Sequence, residues 1–141
     1  MKLNPDCIRD ILLTVEDTTS PSSVMAYRPS ENIYESLLDD EASITPKIEH
    51  KRLKPYTDEE IQYHINQCEL SGFFTEISWF CGNSCFIQDL SPLGHQFLAD
   101  IRTDTNWNKT KDIAKKVGSS SLSTLKDISA QVIAEVIKTT F

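Results

Sequence analysis

The stretch Ile87–Arg102, IQDLSPLGHQFLADIR, decides how this chain folds. A short run with β character reaches Leu90, and an apolar helix begins within two residues. Ser91 carries a side-chain oxygen that can cap a helix. Pro92 fits the first helical position, where no backbone N–H is needed. Gly94 follows in that first turn, where the lack of a side chain lets the helix press against a neighbour. Phe97, Leu98 and Ile101 then fall on one inward face.

Working back from Leu90, CFIQDL (85–90) and TEISWF (75–80) are two β-rich runs, with CGNS (81–84) between them. Gly-Asn in that position signals a tight hairpin turn. Before the hairpin lies the clearest helix, YTDEEIQYHINQCELSGFF (56–74). Thr57 and Glu60 have capping-box spacing. Ile61, His64, Ile65 and Cys68 form one apolar face, Gly72 ends the helix, and Phe73 restores apolar contact beyond it. His64 reads as a hydrogen-bonded, part-buried histidine rather than a ligand. Helix, hairpin and capped helix, in that order, are the back half of a winged helix. The expected fold is α+β: a winged-helix-like domain over 1–103, helices plus a β-hairpin wing, with a C-terminal helical extension over 104–141. That extension would pack on the domain or on a second copy.

At the N-terminus, Asn4-Pro5-Asp6 starts a helix. Ile8, Ile11, Leu12 and Val15 give it one apolar stripe, and it is expected to end near Asp17. DTTSPSS (17–23) is loop by composition. SENIYESLLDD (30–40) reads as a short helix capped by Ser30, using Ile33, Leu37 and Leu38. KIEHKRL (47–53) reads as a strand whose most apolar member is Ile48.

Beyond Arg102, DTNWNKTKDIAKKVGS (104–119) is expected to continue as helix, with Trp107, Ile113, Ala114 and Val117 as its apolar positions and Gly118 as its end. A final helix carries Leu122, Leu125, Ile128, Val132, Ile133, Val136 and Ile137. That stripe is wide for the rim of a small domain, so it must bury against the domain or another copy. Leu125, Ile128, Val132 and Val136 are its candidate oligomer contacts, and a homodimer is one partner expectation.

The chain has 141 residues, of which 39% are hydrophobic and 25% charged, ordinary values for a soluble globular protein. The opening MKLNPDCIRD lacks the long apolar run of a signal peptide, and no segment approaches a transmembrane helix. A cytoplasmic protein with no membrane association is therefore expected. Its four cysteines, Cys7, Cys68, Cys81 and Cys85, then read as free thiols. Cys81 and Cys85 form one pair, but no second Cys or His pair answers it. With His50, His64 and His95 the sole histidines, no metal site is expected. No phosphate-cradling glycine loop appears, and no nucleophile is paired with a base. Asp89 and His95, close in sequence, are explained by a helix cap and a surface histidine. The chain is read as a non-enzyme without a cofactor.

The formal net charge is -7, and its distribution says more than its size. All 14 Lys and Arg lie at or before Lys54, or at or after Arg102. Pro55–Ile101 holds Asp58, Glu59, Glu60, Glu69, Glu76, Asp89 and Asp100 and no cation, so it carries the whole net charge.

Three stretches carry a family resemblance: MKLNPDCIRDILL, YTDEEIQYHINQCELSGFF and DLSPLGHQFLADIRTDTNWNKTK. They resemble domain-of-unknown-function family 2513, small proteins of bacteria and phages. Members typically show D-x-I-R-x-I-L-L near the start, Y-H within a helix ending near A-G-L-I, and L-T-x-x-G-H-x-F-L-D-x-I-R-x-D-x-x-W-x-K. Gly94-His95, Phe97-Leu98, Ile101-Arg102 and Trp107 match that last pattern. Ser91 stands for the usual Thr, Ser71 for the usual Ala, and Phe73-Phe74 for Leu-Ile. The resemblance covers nearly the full length except residues 20 to 55. It implies a winged-helix-like fold and frequent residence in prophages of Gram-positive bacteria. It implies no established activity.

A winged helix that reads DNA gains much of its affinity from Lys and Arg on phosphates. Here the outward face of the candidate recognition helix is Glu59, Gln62, Tyr63, Asn66 and Gln67. Asn and Gln can read adenine edges, but the helix and hairpin together hold no cation. That face is therefore read as an interaction surface for a protein partner, in an uncharacterised prophage-type regulatory or assembly module. The alternative is a dimeric DNA-binding transcriptional regulator. Its phosphate contacts would fall to Lys47, Lys51, Arg52 and Lys54, with Lys109–Lys116 behind them. Lysines that keep a solvated strand edge from pairing explain the first cluster more simply.

Overall fold

The computed structural model describes residues 1–29 and 49–141. The expected helix at 30–40, and Lys47 and Ile48, lie outside them. Among the described residues, five α-helices and a three-stranded antiparallel sheet make an α+β fold.

Helix α1 spans Pro5–Thr18. The Asn4 side chain accepts the Asp6 N–H, Pro5 occupies the first turn, and Ile8, Ile11, Leu12 and Val15 are buried as their spacing predicts. Strand β1, Met25–Tyr27, was not foreseen. Three residues give almost no periodic signal, and this strand forms by pairing with one sixty residues later.

The strand expected over 47–53 is corrected. Lys51–Leu53 is a single 3-10 turn. Leu53 N–H donates to His50 O at 3.0 Å and Tyr56 N–H to Leu53 O at 3.1 Å, which tucks Leu53 into the core. One buried apolar residue followed by a reversal suits a turn better than a ladder.

Helix α2, Asp58–Leu70, opens on the complete capping box of Thr57 and Glu60. Strands β2, Ile77–Phe80, and β3, Ser84–Ile87, form the expected hairpin. Gly82 (φ 79°) and Asn83 (φ 61°) both take the left-handed conformation, which Gly and Asn tolerate best. Strand β1 lies on the other side of β3, with Ala26 opposite Phe86, so the order is β1-β3-β2.

Helix α3, Pro92–Ile101, confirms the reading of its first turn. Ser91 Oγ accepts the Gly94 N–H at 3.0 Å and donates to Gly72 O at 2.6 Å. The Ser91 N–H donates to Phe73 O at 2.8 Å. A Cβ at Gly94 would overlap that same Phe73 carbonyl oxygen, so glycine is what lets α3 sit against the exit of α2.

Helix α4, Asp104–Val117, does not run on from α3, because Thr103 interrupts the chain and caps a new helix through Asn106 N–H. Trp107 and Ala114 are buried, whereas Val117 faces solvent beside the left-handed Gly118. Helix α5, Leu122–Thr140, packs along α4 and α3. One buried cluster runs from Ile8 and Ile11 through Phe73, Phe97 and Ile101 to Trp107, Leu122 and Leu125. No helix among the described residues is long and apolar enough to cross a membrane.

Candidate interaction site

The signature residues hold the helices together. Arg9, on α1, donates from Nε to Ile101 O at 3.1 Å and from Nη2 to Arg102 O at 2.6 Å, and it pairs with Asp104 at 3.0 Å. It thereby takes up carbonyls left open at the end of α3 and joins them to the start of α4. Asp6 accepts Trp107 Nε1–H and Lys111 Nζ, both at 2.8 Å. Burial pushes the Asp6 carboxyl up, but these donors and the Lys111 and Arg9 charges outweigh it and leave the group below its ordinary value. His64 is fully buried between α2 and the start of α1. It is hydrogen-bonded to Glu60 O through Nδ1 at 2.6 Å, and its Nε2 accepts the Asn4 N–H at 2.7 Å. These side chains, separated by up to about a hundred positions in sequence, are structural fasteners.

Three of the four cysteines are buried. Burial pushes the Cys7 and Cys85 thiols up to about 12 and raises Cys68 as well, so these three stay protonated and unreactive at neutral pH. Cys81 is exposed in the hairpin turn. His95 Nε2 stands 3.6 Å from Asp89 Oδ1, and that oxygen also accepts Leu90 N–H at 2.7 Å and Thr19 Oγ1–H at 3.3 Å. Among the described residues, no group of three or more His, Cys, Asp or Glu is placed to hold a metal ion. A groove of about 360 Å³ lies between α1, α4 and α5, and its polar lining combines Lys115, Ser119 and Ser120 with the Asp6–Lys111 pair, which is already engaged in packing.

The surface of α2 and the hairpin is of another kind. Glu59 and Asn66 are exposed, and Gln62, Tyr63 and Gln67 are half-buried. The Tyr27 hydroxyl donates to Asp58 at 2.7 Å, so this end of α2 is tied to β1. At the other end Leu70 is 72% exposed, and the hairpin exposes Trp79 (38%) on the face toward α2 and Phe80 (52%) and Phe86 (46%) on the opposite face. Phe80 and Phe86 meet edge to face at 5.1 Å, and Trp79 Nε1–H reaches Glu69 at 3.3 Å. From the sequence these aromatics read only as strand formers. The signal available was that antiparallel strands with one solvated face normally alternate apolar and polar residues, and TEISWF does not end that way.

The basic candidates are largely spoken for. Arg52 is ion-paired to Asp17, and Lys54 lies 4.0 Å from Glu49. Lys51 is exposed on the 3-10 turn. On α4, Lys111 is held by Asp6, while Lys109, Lys115 and Lys116 face solvent. On α5, Leu125 and Val132 are buried within the chain, Ile128 is half-buried, and Val136 is 39% exposed.

No curated protein and no solved structure matches the chain. The model of the family described as "Hypothetical protein (DUF2513)" matches residues 2–121, which span α1 through α4 and every fastener described above. The chain belongs to that family.

Proposed function

We propose that the chain is a non-enzymatic protein-interaction module of prophage type, built on a winged-helix scaffold. The scaffold reading is supported by connectivity. A first helix leads into β1, α2 precedes the hairpin, and β1 lies on β3 in the order β1-β3-β2. In that scheme α2 is the recognition helix and β2–β3 the wing.

One observation carries the functional reading. Helix α2 and the wing, which would meet phosphate in a DNA reader, hold Glu59, Glu69 and Glu76 and no cation, and they expose Leu70 at the end of α2, Trp79 beside Glu69, and the Phe80–Phe86 pair on the outer face of the sheet. Like charge opposes docking on a polyanion, whereas clustered exposed aromatics are typical of protein contacts. The regulatory or assembly role follows from binding a protein there.

The test is a pull-down from a Gram-positive lysate treated with nuclease, comparing the wild-type chain with a Phe80→Ser/Phe86→Ser variant. A protein retained by the wild type and lost by the variant is expected. Steeply salt-dependent binding to duplex DNA, abolished by substituting Lys51, Arg52 and Lys54, would overturn the reading in favour of the transcriptional regulator.

A further inference from the structure

The two edges of the sheet are unlike. Glu76 O accepts Gln88 N–H at 3.0 Å, and antiparallel ladders alternate, so the backbone groups of Ile77 and Trp79 point away from β3. By the same alternation Met25 and Tyr27 bond to β3 and Ala26 points outward on β1. There the His50 ring Nε2 meets Ala26 O at 2.6 Å and blocks the edge. Among the described residues no strand or side chain does this for β2. Its sequence, Ile-Ser-Trp-Phe, favours strand structure and has neither the lysine nor the proline that usually protects an edge.

Charge selects the occupant. The pleat puts Glu76 and Phe80 on the face that carries Phe86, and Trp79 with its partner Glu69 on the other. Each face of an added strand would therefore meet an aromatic surface and a carboxylate. A second copy paired β2 to β2 would bring together two segments that each hold seven carboxylates and no cation. An extended segment with apolar and basic residues in alternation would set its cations against Glu76, Phe80 and Phe86 on one face and its apolar side chains beside Trp79 on the other. We propose that the open edge of β2 takes up such a segment of a basic protein partner as a fourth strand. The backbone groups of Ile77 and Trp79 supply the ladder, and Phe80, Phe86 and Glu76 supply selectivity for the cations. This inference rests on the reading of the α2–wing surface as a protein interface.

The test is an amide-resolved NMR titration of the full chain with three eight-residue peptides. One alternates Val and Lys, one alternates Val and Glu, and one is the Val–Lys peptide N-methylated at every backbone amide, so that neither of its edges can donate. The Val–Lys peptide is expected to shift the Ile77–Phe80 amides and to bind at least about tenfold more tightly than either control. Phe80→Ser/Phe86→Ser should weaken it. Equal binding of the N-methylated peptide would reduce the effect to charge and overturn strand addition, as would no binding at all. Shifts centred on Glu59 and Asn66 would also overturn it, while leaving the interaction-module reading intact. A β2-mediated dimer seen by sedimentation without peptide would give the edge to a second copy and overturn it too. Loss of every nuclease-resistant partner in the lysate experiment is the separate failure that would sink the wider reading.

Discussion

The Nε2 of His64 accepts the backbone N–H of Asn4 at 2.7 Å, so a fully buried imidazole on α2 completes the N-terminus of α1 sixty residues earlier. A backbone amide can only donate, which makes Nε2 the acceptor and Nδ1–H the donor to Glu60 O. The ring is thereby held as one neutral tautomer. Replacing His64 with Ala would empty a buried site and leave the Asn4 amide unpaired. The expected cost is about 2–4 kcal/mol in equilibrium denaturation. A change under about 0.5 kcal/mol would show that the ring is not a fastener.

Gly94 is the second such point. A methyl group there meets the Phe73 carbonyl, which is itself fixed by the Ser91 N–H at 2.8 Å and cannot swing away without breaking that bond. Gly94→Ala should destabilise the chain by about 1–3 kcal/mol, although alanine is the better helix former. An unchanged denaturation midpoint would mean that α3 can shift outward freely.

The acid limb of the stability curve should depend on Asp6 and Glu16. The donors on Asp6 leave its carboxyl below the ordinary 3.8, and the Arg102 fork holds Glu16 below 4.5. A folded pKa below the unfolded one gives stability that is present above the unfolded value and is lost as pH falls through the folded value. Both carboxylates are partly solvated, so each contributes under about 1 kcal/mol. Asp6→Asn with Glu16→Gln should therefore lower stability at pH 7 and flatten its fall below about pH 4.5. Parallel acid curves for variant and wild type would refute this.

Along α5 the two valines of the stripe should now part company. Val132 is 2% exposed against the chain's own helices, so Val132→Asp buries an unpaired carboxylate and should cost about 3 kcal/mol or more. Val136 lies where the helix leaves the body, and Val136→Asp should change monomer stability by less than about 0.5 kcal/mol. Circular dichroism melts test both. Sedimentation of Val136→Asp alone then reports on a second copy without unfolding the first.

The sequence by itself determined the local structure. Asn4, Thr57 and Ser91 read as caps, Pro5 and Pro92 as first-turn residues, and Gly82-Asn83 as a hairpin turn, and each acts through atoms within a few positions of itself. The apolar stripe of α1 was legible for the same reason, because helical periodicity is a local property. Even the role of Gly94 could be anticipated, though not its partner. Tertiary structure alone decided what these elements meet. Strand β1 exists because β3 offers it a ladder, and Lys51–Leu53 turns because Leu53 is buried. Arg9 and Asp6 reach residues about a hundred positions away. It also decided which apolar residues stay outside. Trp79, Phe80 and Phe86 have the composition of a strand core, but among the described residues nothing covers the outer face of the sheet or the β2 edge. Composition marks an aromatic as able to be buried; the arrangement of the other elements determines whether it is.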